Sequence, residues 1–402
     1  MKKLIYLMCA GVMAVCASCS SDDEPGGGLS GFEAAANLMN ITAEEQVVVD
    51  QQKDFALKFF ELTYSGNNMI VSPLSASCNL SLLANAAEGK TRKELLDLLE
   101  CQDITVLNSL NKKLLSNISK LDAKKVKVSL ANSIWMNSDH NVSTTAEFKD
   151  IATKDYKAKV TSLALDKNAY KKVNSWAENE TNGLITDFYK SDEVYNKVMI
   201  MMNALYFKGE FTNKFDKKKT IKSRFNALDG KVNDVYMMQD QRNLPYMNTD
   251  KAQAISLEFG SGVFDMIVAL PNNGASLADA AAEAMSINTD KKESVRISIP
   301  KFKQEYMLPF KTIYQLLGIN TMEANLSNIL VNSNPLSCAN FETKQKTVFM
   351  VDEDGAEGAS VTGTEIDGFM PADAYFTADR PFVYMIREKT SGAILFIGAY
   401  VK

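Results

Sequence analysis

Gly355-Ala356-Glu357-Gly358-Ala359-Ser360-Val361-Thr362-Gly363-Thr364-Glu365-Ile366-Asp367-Gly368-Phe369-Met370 separates two apolar runs near the C-terminus, Val348–Val351 and Pro381–Ile386, each of which reads as a strand. A connection of this length with no structure of its own, inside an otherwise compact chain, is either functional or disordered. Successive side chains of a strand point to opposite faces. Here the even positions, Ala356, Gly358, Ser360, Thr362, Thr364 and Ile366, are small or uncharged, and every charge (Glu357, Glu365, Asp367) falls on an odd position. The stretch therefore reads either as a flexible Gly/Ser/Thr linker or as a loop able to become a strand with its even face buried.

The 402 residues are 46% hydrophobic and 23% charged, an ordinary globular composition. A net charge of −5 leaves no basic field for nucleic acid. Lys2 and Lys3 followed by the short apolar run Leu4–Val15 form a targeting segment too short to span a bilayer comfortably. Cys16-Ala17-Ser18-Cys19 then resembles a bacterial lipoprotein box, with residues 1–18 as signal peptide and Cys19 as the acylated residue; a plain secretory signal is the alternative. The acidic Ser20–Glu24 and Gly26-Gly27-Gly28 read as a tether, so residues 19–45 are expected to be a lipid-attached flexible N-terminus. The acidic run also resembles a surface-export signal, which places the chain on the outer membrane, exposed at the cell surface and touching membrane only through that lipid. Cys78, Cys101 and Cys338 remain in the body, an odd number without metal-site spacing, and no disulfide framework or metal site is expected.

Along the body, Glu44–Tyr64 has the periodicity of an amphipathic helix. Met69–Val71 reads as a strand. Ser72 suits a helix N-cap with Pro73 in the first turn, Gly89 the end of that helix, and Thr91 with Glu94 the capping box of the next. Val126–Met136, Val198–Phe207, Phe264–Leu270 and Val295–Ile299 read as strands, and Val198–Phe207 is apolar on both faces. Phe148–Tyr156, Lys171–Glu180, Leu277–Met285 and Tyr306–Leu317 are expected to be helical. Phe382–Arg387 and Ala393–Tyr400 form a hairpin about Thr390-Ser391-Gly392. No composition shift divides residues 46–402, so a single α+β domain is expected.

Hydrolytic chemistry is constrained by the histidine count, which is one. His140 lies in a polar turn, so a Ser-His-Asp triad would depend on that residue alone, and a multi-His zinc site is impossible. Asp352-Glu353-Asp354 lacks the ligand spacing of a calcium loop. No cofactor is expected.

Several motifs, in order, resemble those of the serpins, the serine protease inhibitors, from about Gln46 to Lys402. Asn203–Phe211 resembles the sheet-A signature, and Ile70–Ser75 the shutter segment. Val351–Glu357 resembles the hinge, Arg380–Tyr384 with Ile397-Gly398 the C-terminal hairpin, and Asn174–Ile185 the helix crossing sheet A. The resemblance implies a serpin fold of three β-sheets and about nine helices with an exposed reactive-centre loop. It also implies a mechanism. A target protease attacks the loop and forms an acyl-enzyme, and the hinge, Gly355, Ala356, Glu357, Gly358, Ala359, Ser360, Val361 and Thr362, then enters sheet A as a strand. About fourteen residues at roughly 3.3 Å each would carry the protease some 45 Å.

Lys301 and Glu353 are implied as a pair at the top of the sheet, partly exposed and worth about 0–1 kcal/mol. Ser72, Pro73, Ser75, Asn203 and Gln345 are the implied shutter, with Gln345 where the family commonly has His. Counting forward from Glu353 by the family's spacing gives Phe369, and counting back from Pro381 favours Met370; Phe369–Met370 is taken as the reactive bond because cleavage one residue later would put Pro371 across it. A Phe anchor suits chymotrypsin-like proteases, with elastase- and subtilisin-like enzymes next and cysteine proteases as a second class. A monomer is expected. The competing readings are a non-inhibitory serpin acting as a carrier or binding module and an unrelated hydrolase. The first predicts bulky, charged or proline residues on the buried hinge face, and none occurs from Ala356 to Thr364. Phe211 in place of a common Trp, and Gly358 and Gly363 in place of other small residues, are the remaining departures.

Overall fold

In the computed structural model, which describes residues 31–140, 143–195, 197–309, 326, 328–331, 341–356 and 371–401, two large sheets share one apolar core. The six-stranded sheet runs Phe302–Pro309, Phe341–Asp352, Gly355–Ala356, Met199–Glu210, Val126–Asn137, Lys159–Leu163. The nine-stranded sheet is continuous through the strand Val232–Asn248. That strand pairs with Ile221–Asn226 and Lys292–Pro300, then reaches Ala252–Phe259 through Tyr246–Asn248. Units expected as separate sheets are thus joined along one strand. A short pairing of Leu330–Val331 with Ser143–Thr144 stands apart. Nine α-helices lie among the described residues, and the class is α+β.

Met199–Glu210 is the centre of the arrangement. Met199, Met201, Leu205 and Phe207 face the main core. Ile200, Met202 and Ala204 face the other way, against Trp135 and the helix Ala169–Glu180, where Trp135 and Trp176 meet edge-on at 6.5 Å. Covering both faces explains why this strand is apolar throughout rather than alternating. Behind it lies the C-terminal hairpin. Tyr384 packs against Phe302 at 5.0 Å and Phe349 at 5.6 Å between the two sheets, and each such buried aromatic contributes on the order of 1.5–3 kcal/mol. The helix Pro73–Ala86 is buried along its whole length. Its alternation of Ser, Ala and Leu fits a site enclosed on all sides, where small side chains permit close approach.

Local punctuation differs from expectation at three places. Gly89 does not follow the last helical turn. The helix from Pro73 ends at Ala86, and the next begins at Gly89 itself with no side-chain cap, so Thr91 and Glu94 lie inside it rather than forming a box. Tyr306–Pro309 is not helical; it completes a strand paired with Lys344–Thr347. The alternation of buried Phe302, Gln304 and Leu308 with exposed Lys303, Glu305 and Met307 is the signal that outweighs helix propensity there. Residues 310–317 lie outside the described residues. Finally, Phe32–Met39, placed within the flexible N-terminus, is a helix that buries Ala35 and Met39, because its apolar stripe finds the helix Ile104–Asn117 to cover it.

Candidate functional site

Gly355 and Ala356 occupy the place on which the sheet turns. They form a two-residue strand between the neighbours Phe341–Asp352 and Met199–Glu210. Ala356 stands opposite Val351 on one side and Gly209 on the other. Two features make glycine obligatory at 355. Its φ is +140°, and a Cβ there would lie 2.1 Å from the Gly209 carbonyl oxygen. Ala356 is 1% exposed and belongs to the main core.

Below this point the two flanking strands pair directly and in parallel, Phe341–Gln345 against Met199–Asn203. Between the two pairings, residues 346–350 and 204–208 have no ladder to each other among the described residues. Each still pairs outward, with Phe302–Pro309 and Val126–Asn137 respectively. The sheet therefore holds a central slot, closed at its lower end and begun at its upper end by the first two residues of the loop.

The upper end is held by a carboxylate cluster whose members face different partners. Glu353, only 3% exposed, takes Lys301 Nζ at 2.7 Å and the Thr220 hydroxyl at 2.7 Å. Burial, the largest single influence, would raise its pKa, but those two hydrogen bonds together with a backbone hydrogen bond and the Lys301 charge hold the carboxyl below its ordinary value. The expected pair forms and is partly exposed, with its exposure on the Lys301 side and the Glu353 carboxylate buried. Loss of Lys301 therefore costs more than a surface pair is worth. Asp354 takes Lys217 Nζ at 2.8 Å. Asp352 accepts the backbone N–H of Asp354 at 2.9 Å and of Gly355 at 3.3 Å, closing the turn. Burial, with the like charges of Asp354 and Glu353, pushes the Asp352 carboxyl up.

The lower end carries the residues expected to form the shutter. Ser72 caps its helix by accepting from Ser75 N at 3.1 Å, with Pro73 at the first position. Gln345 accepts from Ser72 N at 2.8 Å and donates to Ser72 O at 2.9 Å. It thus ties the slot's lower edge to the helix start with a side chain that has no charge to lose. Asn203, opposite Gln345 in the ladder, donates to Asn132 Oδ1 at 2.7 Å. Its own Oδ1 and the Ser75 hydroxyl are buried without a partner among the described residues.

Two residues escaped the sequence reading. Lys344 and Lys346 are buried on the face covered by the helix Ala169–Glu180 and the chain that follows it. Lys346 reaches Asp187 and, at 2.7 Å, Glu305; Lys344 reaches Glu193 and lies 5.0 Å from the Tyr189 ring. These pairs strap residues 187–193 across the closed half of the sheet. The available signal was that the two lysines share a strand face with Val348 and Met350.

His140 sits in an exposed turn. Cys78 and Cys101 are free and buried, and burial raises the Cys78 thiol to about 12, so it is not a poised nucleophile. Cys19, the hinge positions Glu357, Gly358, Ala359, Ser360, Val361 and Thr362, and the bond Phe369–Met370 lie outside the described residues.

The profile of a family described as "Serpin (serine protease inhibitor)" matches residues 50–402. A "Serine protease inhibitor" of Cyanea capillata is 30% identical over 377 residues, covering 88% of this chain and 97% of its own. "Serpin-Z7" of Hordeum vulgare is 29% identical over 389 residues, covering 89% and 97%. Among solved structures, the thermophilic serpin tengpin in its native state superposes with a TM-score of 0.78 at 23% identity, over 89% of this chain and 94% of that one. Arabidopsis AtSerpin1, described as in its native stressed conformation, gives 0.72 at 26% identity, over 92% and 98%.

Proposed function

The chain belongs to the serpin family of protease inhibitors, and from that premise we propose that it inhibits serine proteases by covalent trapping, with Phe369–Met370 as the bond attacked. The supporting observation is the begun slot: Gly355 and Ala356 stand between the two strands that the rest of the loop would have to part. Continuing their register sets Gly358 opposite Phe207, Ser360 opposite Leu205 and Thr362 opposite both Asn203 and Gln345, all on the core side. It sets Glu357 opposite Lys208 on the other face. The insertion would thus bury the small even positions and leave Glu357 beside a cation. It would also bring the Thr362 hydroxyl to the Asn203 oxygen that has no partner among the described residues. Burying uncharged side chains avoids the cost of stranding a charge.

In this mechanism the protease serine attacks the Phe369 carbonyl, the amine of Met370 leaves, and the ester persists because insertion carries the enzyme away before water arrives. A Phe anchor fits the deep apolar pocket of a chymotrypsin-like enzyme, and oxidation of Met370 to the sulfoxide would weaken recognition beside the bond. Incubation with chymotrypsin followed by denaturing electrophoresis tests the reading. A band at the summed mass that survives denaturation is expected. Clean cleavage of the loop with full chymotrypsin activity retained would overturn it in favour of a non-inhibitory binding module.

The same reading takes Cys19 as a lipid-bearing residue and the chain as a monomer displayed on the outer membrane. Cys19→Ala is expected to move the protein from the membrane to the soluble fraction; unchanged membrane association would contradict the anchor.

A further inference from the structure

We propose that Tyr375 and Arg296 form a platform, outside the reactive loop, against which the attacking protease docks. The chain after the loop is pinned at Asp373, whose N–H donates to Ser294 O at 2.8 Å and whose carboxylate accepts from Ser294 N at 3.1 Å. From there Ala374–Thr377 runs as the edge strand of the nine-stranded sheet, parallel to Lys292–Pro300, with Tyr375 opposite Arg296. Ala374 and Phe376 turn inward, while Tyr375 is 59% exposed. The Arg296 guanidinium lies 5.5 Å from the Tyr375 ring centroid and donates to Gln241 Oε1 at 3.4 Å, so both side chains are held in place before any partner arrives.

Distance identifies the occupant. Tyr375 is five residues beyond Met370, so the two are separated by at most about 17 Å of extended chain. A chymotrypsin-sized domain of about 240 residues has a radius of gyration near 18 Å, equivalent to a sphere of roughly 23 Å radius. An enzyme engaged on Phe369–Met370 therefore overhangs Tyr375. Only Pro371 and Ala372 intervene between the reactive bond and the pinned Asp373, so chain length alone keeps the platform within that reach of the bond. A stacked Tyr–Arg pair is the side-chain chemistry that dominates interface energetics. Its complement is a carboxylate- or carbonyl-bearing loop on the rim of the protease cleft, on the side that receives residues after the cleaved bond. An enzyme carrying a cation there would be selected against, so the pair sets specificity among proteases that accept Phe369 equally well.

This inference rests on the trapping reading, and the test separates the two. Second-order rate constants of complex formation would be measured for the full chain with chymotrypsin and with subtilisin, at about 50 and 300 mM salt. Tyr375→Ala is expected to slow association by about 5–10-fold with at least one of the two. Arg296→Glu is expected to slow it about 10-fold at low salt and less at high salt. The stoichiometry of inhibition and the unfolding midpoint should stay at the parent values, and Tyr375→Phe should restore most of the rate. A parent chain that forms no stable complex overturns the trapping reading. A parent chain that traps both enzymes at rates the substitutions leave within twofold overturns the platform alone. A dimer that Tyr375→Ala dissociates would assign the edge to a second copy of this chain instead.

Discussion

The two halves of the six-stranded sheet are built from the same two strands and behave as opposites. In the lower half, Phe341–Gln345 and Met199–Asn203 share a ladder, Gln345 ties that ladder to the Ser72 helix start, and Lys344 and Lys346 strap a neighbouring segment over it. In the upper half the same strands have no mutual ladder among the described residues, and of those residues Gly355 and Ala356 stand between them. The ladder of the lower half is thus not continued above it between these two strands, and the residues at the two boundaries, Glu353 above and Gln345 below, are buried polar ones.

The largest expected effect breaks the upper half. Ala356→Arg introduces a charge into the core at the first inserted position, and the proportion of attacks ending in a stable complex should fall from most to nearly none, with the loop cleaved as a substrate; unchanged trapping on a denaturing gel would remove the face assignment. Next comes the lower half. Gln345→Ala leaves the Ser72 N–H buried and unpaired, while the Ser72 carbonyl keeps the Ala76 N–H, so chemical denaturation should register a loss of about 1–3 kcal/mol. A loss near zero would mean that the ladder alone closes that half. A smaller effect sharpens the upper boundary. Lys301→Ala strands the Glu353 carboxylate, costing about 1–3 kcal/mol after allowance for the partial exposure of Lys301.

The Lys301–Glu353 pair also has a pH signature. The Glu353 carboxyl lies below its ordinary value when folded, so its contribution is complete above about pH 4.5 and is lost as pH falls through the folded value. The parent and Lys301→Ala should therefore draw together in stability as pH falls below about 4.5, and a gap that does not narrow in acid would contradict the assignment.

How legible this was depended on the range of each interaction. The Ser72–Pro73 helix start, the doubly buried Val198–Phe207 run and the C-terminal hairpin are local patterns, and the structure has them within three residues. The upper hinge was legible through the glycine at 355, whose need is set by backbone approach. The lysine straps were not, because Lys344 meets Glu193 and Lys346 meets Asp187, each more than a hundred residues away, and nothing local marks either acid. Gly89 and Tyr306–Pro309 misled for a related reason. A glycine ends or begins a helix according to what packs around it, and a strand of mixed polarity is set by its neighbour's ladder.

The central claim is that the loop completes the unfinished half of the sheet, and cleavage of the loop without a trap tests it most directly. A metalloprotease of the thermolysin type, which forms no acyl-enzyme, would nick the chain between residues 357 and 370, and thermal unfolding of nicked and intact protein would be compared. Insertion adds on the order of ten backbone hydrogen bonds at about 1 kcal/mol each, so the nicked chain is expected to unfold upwards of about 10 °C higher than the intact one. An unchanged or lower midpoint would contradict the account.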